Sequence, residues 1–260
     1  MIRYCILCAC LAGLGACAAH AETGFLRRAV TVGGITYRYV VYVPAEWTAE
    51  KRWPVVLFLH GSIEKGDDGV AQSKVCIGSV VRKDPEKFPA IIVMPQCRMD
   101  SAWEVDKMQA QALAALDASS KEFNGDPERT YLTGFSMGGY GTWNMDGKYP
   151  GRFAALVPVS GGIVWPPSLA IREPDPEANP YVRAAQKVAH VPVWVFHGDA
   201  DQNVPVTESR RMAEALKALN ADIKYTEYKG AAHFICDQVY GEPELPSWLF
   251  AQRLKVSPTP

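Results

Sequence analysis

The chain has 260 residues, 48% of them hydrophobic and 21% charged, which suits one globular domain with a large core. A formal net charge of −1 and an isoelectric point near 6.5 leave no electrostatic footprint for nucleic acid or for an anionic membrane surface, so a small or neutral substrate is favoured.

The first residues place Arg3 ahead of an apolar stretch that ends in Ala19-His20-Ala21, an A-x-A cleavage pattern before Glu22. This predicts an export leader over 1–21 and a single mature domain over 22–260, periplasmic or secreted. The stretch is too short and too rich in small residues for a membrane span, which needs about 20 apolar residues. "LGAC", Leu14 to Cys17, offers a second processing route: a lipobox that would end the leader at 16 and leave a lipid anchor at Cys17. Of the seven cysteines, Cys5, Cys8, Cys10 and Cys17 fall in the leader, and Cys76, Cys97 and Cys236 remain. An oxidising compartment permits one disulfide among those three, with the pair left open. No ligand spacing for a metal is found, and no cofactor is expected.

Arg27 to Pro44 alternates apolar and polar residues around Gly33-Gly34, the pattern of an antiparallel hairpin at a sheet edge. Short apolar runs follow at 54–60, 90–95, 129–135, 153–160 and 191–198, reading as strands buried on both faces. Stretches with helical periodicity lie between and after them, at 104–123, 137–150 and 206–220. This alternation predicts an α/β fold with a mostly parallel central sheet and helices on both faces. The proline-rich stretch 161–190 reads as a surface excursion. Ligands of such sheets bind at the carboxyl ends of the strands, where His60-Gly61-Ser62, Gln96, Ser136, Ser160 and His197-Gly198-Asp199 all fall.

"GFSMG", Gly134 to Gly138, matches the G-x-S-x-G turn that carries a nucleophilic serine between a strand and a helix. Glycines on both sides allow the close approach, and the Met137 N–H at the helix start points at the oxygen of a carbonyl attacked by Ser136. A hydroxyl needs a base, and the base an orienting carboxylate, in the chain order Ser, acid, His. His20 leaves with the leader, and His60, His190 and His197 precede any suitable acid, so His233 in "GAAHF" is the expected base. "HGDADQNVP" offers Asp199 and Asp201 as the acid, and spacing alone does not choose between them. The strand ending in His60-Gly61 supplies the second oxyanion donor, the N–H of Ser62. Trp103, Trp165 and Gln96 follow strand ends and are candidate pocket residues, each tryptophan as readily explained by plain packing, whereas Trp194 belongs to a buried strand.

Together "LHGS", "GFSMGG", "HGDADQNVP" and "GAAHF" resemble the α/β-hydrolase serine carboxylesterases, closest to the secreted predicted peptidase/esterase, phospholipase/carboxylesterase, polyhydroxybutyrate depolymerase and feruloyl esterase-like branch. The resemblance covers essentially the whole mature chain. It implies the α/β-hydrolase fold, Asp201 as the acid, and hydrolysis of small acyl or aryl esters without a cofactor. Two rivals are a peptidase of the prolyl-oligopeptidase kind and a catalytically silent hydrolase fold used for binding.

Overall fold

A computed structural model describes residues 22–165 and 179–254. The leader, with both its cleavage patterns and Cys17, lies outside the described residues. The described chain forms one eight-stranded sheet in the order β1-β2-β4-β3-β5-β6-β7-β8. Strands β1 (Gly24–Val32) and β2 (Ile35–Val43) make the expected hairpin, turned at Gly33 and Gly34 with φ of 56° and 77°, where only glycine is free of Cβ strain. β2 also runs antiparallel to β4 (Ile91–Pro95). From there β3 (Trp53–Leu59), β5 (Gly125–Phe135), β6 (Ala155–Val159), β7 (Val193–Gly198) and β8 (Ile223–Tyr228) pair in parallel, with β3 also parallel to β4.

Both faces of the sheet are covered, which is why its central strands carry no polar alternation. On β3, Val55, Leu57 and Leu59 join one apolar cluster and Val56 and Phe58 the other, all without exposed surface. Each such side chain contributes roughly 1.5–3 kcal/mol of burial free energy. The first cluster is completed by α2 (Asp106–Glu122), α3 (Met137–Lys148), α4 (Pro180–Val188) and α5 (Thr207–Ala218). The second is completed by α1 (Cys76–Lys83), α6 (Cys236–Gly241) and α7 (Glu244–Ala251).

Two differences from the sequence reading have local causes. The proline-rich stretch contains α4, started by Asn179, whose side chain accepts from the N–H groups of Tyr181 and Val182 while Pro180 takes the first helical position. β5 begins four residues early, because Gly125 pairs with Trp53 across an irregularity in the register. The open cysteine pairing is resolved as Cys76–Cys236, joining α1 to α6 and leaving Cys97 a buried free thiol that burial pushes up to about 12. No helix among the described residues is long and apolar enough to cross a membrane.

Candidate active site

Ser136 sits alone between the end of β5 and the start of α3, with φ 53° and ψ −116°. A non-glycine residue is strained there, and the surroundings hold it. Its N–H donates to the Val159 carbonyl at 2.9 Å, and its own carbonyl accepts from Gly139 N–H at 2.7 Å and Tyr140 N–H at 3.1 Å. The flanking glycines are required by contact. A Cβ at Gly134 would lie 2.2 Å from the Gly138 carbonyl oxygen, one at Gly138 1.9 Å from that of Leu59, and one at Gly139 2.7 Å from the Gly161 Cα. Only a chain of glycines lets α3 start this close to β3 and β6.

The loops after β7 and β8 are laced together above this turn. Asp199 N–H donates to the Tyr228 carbonyl, Ala200 N–H to the Ala231 carbonyl, and Gly230 N–H to Asp199 Oδ1 at 2.5 Å. A Cβ at Gly198 would lie 2.3 Å from the Ala231 carbonyl, so the "HGD" glycine is what admits the second loop. Ser160, itself at φ 45°, donates its hydroxyl to the His233 carbonyl at 3.1 Å. His233 is thereby set with Nε2 2.8 Å from Ser136 Oγ and Nδ1 2.7 Å from Asp201 Oδ2. The carboxylate can only accept, so Nδ1 carries the proton and Nε2 receives the serine hydroxyl. Asp199 fills the turn and Asp201 faces the imidazole, a division the spacing did not decide.

Asp201 Oδ1 accepts from the N–H groups of Asn203 and Val204 at 2.8 and 2.9 Å. Burial would raise its pKa, but hydrogen bonds from His197, His233 and Val204 outweigh that and hold the carboxyl well below the ordinary range. The Phe135 ring packs 5.0 Å from the His233 ring and 5.0 Å from that of Phe234, which is 62% exposed beside it. A hydroxyl bonded to an imidazole that is itself bonded to a fixed carboxylate can give up its proton as it attacks an electrophilic carbon.

Ser62 opens a 3-10 turn over Ser62–Glu64 and Met137 opens α3, so neither N–H has a carbonyl of its own helix behind it. Leu59 and Gly134 are paired in register, and the two loops therefore leave the sheet side by side. Behind them His60 is fully buried, donating from Nδ1 to the Gly61 carbonyl at 2.6 Å and accepting the Cys97 N–H at Nε2 at 2.9 Å. Burial lowers its pKa to about 4, which keeps it neutral in this structural role.

Two of the candidate pocket residues are corrected. Trp103 has no exposed surface: its indole N–H donates to the His60 carbonyl at 2.9 Å and its ring packs under the loop against His60. Gln96 is 3% exposed and spends both ends of its amide on backbone, accepting Gly69 N–H and donating to the Glu64 carbonyl. Both side chains hold the loop that carries Ser62 instead of facing a ligand. Trp165 is half-buried, stacked on Tyr140 at 4.1 Å and donating to Glu104 Oε1 at 2.7 Å. Tyr140 lies one turn after Ser136 on α3. Burial pushes the Glu104 carboxyl up to about 7.

Glu208 and Phe234 are not marked by the sequence reading, and His197 is marked there only by its place at a strand end. Glu208 is buried and accepts from Ile163 N–H, Val164 N–H and the Tyr181 hydroxyl, fixing the segment that leads to Trp165. His197, dismissed as a base, lies with Nε2 3.2 Å from Asp201 Oδ2. Phe234 was the legible one, a large apolar residue directly after the expected base. Among the described residues no three His, Cys, Asp or Glu side chains gather as a metal would require.

The sequence pattern of the prolyl oligopeptidase family matches residues 102–249, more than half of the chain. This chain belongs to that family. The member described here has the α/β-hydrolase fold, with a TM-score of 0.74 and 28% identity to a thermostable esterase, covering 88% of this chain and 63% of the other. It is 32% identical over 135 residues to the bifunctional acetylxylan esterase/xylanase XynS20E of Neocallimastix patriciarum, covering 51% of this chain and 19% of that protein. It is 26% identical over 212 residues to an uncharacterized secreted protein of Arthroderma benhamiae, covering 70% of this chain and 21% of that one. The chain thus spans about a fifth of the length of these two relatives.

Proposed function

We propose that this protein is an exported serine carboxylesterase of the prolyl oligopeptidase family, acting on small acyl or aryl esters. The observation that carries the reading is the unbroken chain Ser136 Oγ, His233, Asp201, with links of 2.8 and 2.7 Å. Ser136 attacks the ester carbonyl while His233 Nε2 takes its proton, and the N–H groups of Ser62 and Met137 receive the oxyanion. His233 then returns the proton to the departing alcohol, and water, activated by the same imidazole, releases the acyl group. Asp201 holds the imidazole in the required tautomer throughout.

Ester substrates are supported by the esterase names of the relatives and by the apolar character of the site's rim. Ile63, beside Ser62, and Phe234, beside His233, are 74% and 62% exposed, which suits an alkyl or aryl group on the substrate. Export is supported by the leader and by the Cys76–Cys236 disulfide, a bond that persists in oxidising compartments. On this reading residues 22–260 are one catalytic domain, released by cleavage after Ala21 or anchored through Cys17.

The family match favours one second reading, a peptidase using the same three residues. A panel of p-nitrophenyl acyl esters and peptidyl p-nitroanilides separates the two. Ester hydrolysis with kcat/KM at least about a hundredfold above that of any peptide, a difference of about 2.7 kcal/mol in the barrier, is expected. Preferential cleavage of the anilides would assign the peptidase.

A further inference from the structure

The strand position of His197 gives it an ordinary explanation, a core histidine with its nitrogens satisfied. Its partners say more. The imidazole has no exposed surface. Nδ1 is 2.6 Å from Ser209 Oγ on α5, and Nε2 is 3.0 Å from the Val204 carbonyl and 3.2 Å from Asp201 Oδ2. A carbonyl and a carboxylate can only accept, so Nε2 must carry the proton and Nδ1 must accept from the Ser209 hydroxyl. The carboxylate oxygen it reaches is the same Oδ2 that faces His233.

We propose that His197 is a positioning residue for catalysis, a second imidazole that donates to Asp201 and sets both the direction and the strength with which that carboxylate holds His233. The proposal rests on the triad reading above. Asp201 then receives N–H donors on both oxygens: Asn203 and Val204 on Oδ1, and His233 and His197 on Oδ2. Such a carboxylate cannot rotate to present its other oxygen without breaking bonds at both ends. Its charge is also shared between two imidazoles, so His233 feels less of it than it would from an unshared carboxylate. Ser209 completes the line by fixing the tautomer of His197.

A further charge beside His197 comes from β8, where Glu227 is its register partner. That carboxylate is engaged by Arg210 at 2.6 Å and by the Tyr225 hydroxyl at 2.5 Å. A change at His197 is therefore read at Asp201 and His233.

Three variants and one spectrum test this. His197→Phe removes the donor while keeping a ring. We expect kcat on a p-nitrophenyl ester to fall about tenfold, the order of one charge-assisted hydrogen bond, with KM unchanged because His197 touches no substrate. The acid limb of the pH–kcat/KM profile moves to higher pH, because Asp201 then concentrates its charge on His233 and favours the imidazolium. His197→Gln, which returns an N–H near the place of Nε2, restores both toward the parent values. A folded His197→Phe protein with unchanged kcat and unchanged acid limb overturns the proposal. The spectrum needs no variant: nitrogen NMR of the histidine-labelled protein should find His197 protonated at Nε2. Protonation at Nδ1 overturns the proposal even if His197→Phe does not fold. Ser136→Ala separates the two levels, since an active Ser136→Ala protein removes the triad reading itself, whereas an inactive one beside an unaltered His197→Phe removes only this inference.

Discussion

The disulfide between α1 and α6 closes a loop spanning 160 residues and ends three residues after His233. Replacing both Cys76 and Cys236 by Ala releases that constraint from the unfolded chain. For a loop of this length the chain-entropy relation gives a loss of about 5 kcal/mol, an upper figure because real unfolded chains retain some structure. Losing the buried sulfur contacts adds to it, since the two residues are only 4% and 6% exposed. Turnover should survive in the folded fraction. The His233 loop is also held by the Ser160 hydroxyl and by the ties from Asp199 and Ala200. Urea unfolding of the double variant against the parent, followed by tryptophan fluorescence, measures the difference. A loss below about 1 kcal/mol would refute the reasoning, because it would mean that the loop closure scarcely restricts the unfolded ensemble.

Asp201→Asn should reduce kcat near neutral pH by about ten-thousandfold with the fold retained, because an amide in that place favours the wrong imidazole tautomer. Asp199→Asn, which weakens only the bond from Gly230 N–H, should instead cost about 1 kcal/mol of stability, and kcat with melting temperature for both variants tells them apart. Asp146 is fully buried on α3, both its oxygens lack a hydrogen-bond partner, and burial raises its pKa from 3.8 to about 7. The folded state thus binds more protons than the unfolded between those values, so this residue's contribution is complete below about pH 4 and is lost as pH rises toward 7. The loss is about 4 kcal/mol at most, and Asp146→Asn should flatten it in urea-unfolding free energies measured from pH 5 to 8. Phe234→Ala should raise KM for aryl esters about fivefold, from about 1 kcal/mol of lost apolar contact, and leave KM for acetate esters of small alcohols little changed in steady-state assays.

What could be read from the sequence was local in character. The hairpin declared itself through Gly33-Gly34, and the strand-turn-helix around Ser136 through glycines whose Cβ atoms would collide with backbone. Strand ends also marked the edge of the sheet at which Ser136, His233 and Asp201 meet. They did not tell whether a side chain at that edge points outward or under its loop, which is why Trp103 and Gln96 were misplaced. The pairing of Cys76 with Cys236 and the clasp of Glu208 on the loop before Trp165 join residues far apart in the chain. Only the assembled sheet brings those groups together. Helix α4 is a different case, since Asn179-Pro180 is a helix-start signal that the surrounding prolines masked.

The central claim is that Ser136 is the activated nucleophile. Labelling the folded protein with a fluorophosphonate, followed by digestion and mass spectrometry, tests it most directly. The reagent forms a stable bond only with a serine whose proton is being withdrawn and whose developing oxyanion is held. One label per chain, on the peptide containing Gly134 to Gly139 and assigned by fragmentation to Ser136, is the predicted result. It should be absent from Ser136→Ala. An unlabelled protein, or a label on any other residue that persists in Ser136→Ala, would contradict the account.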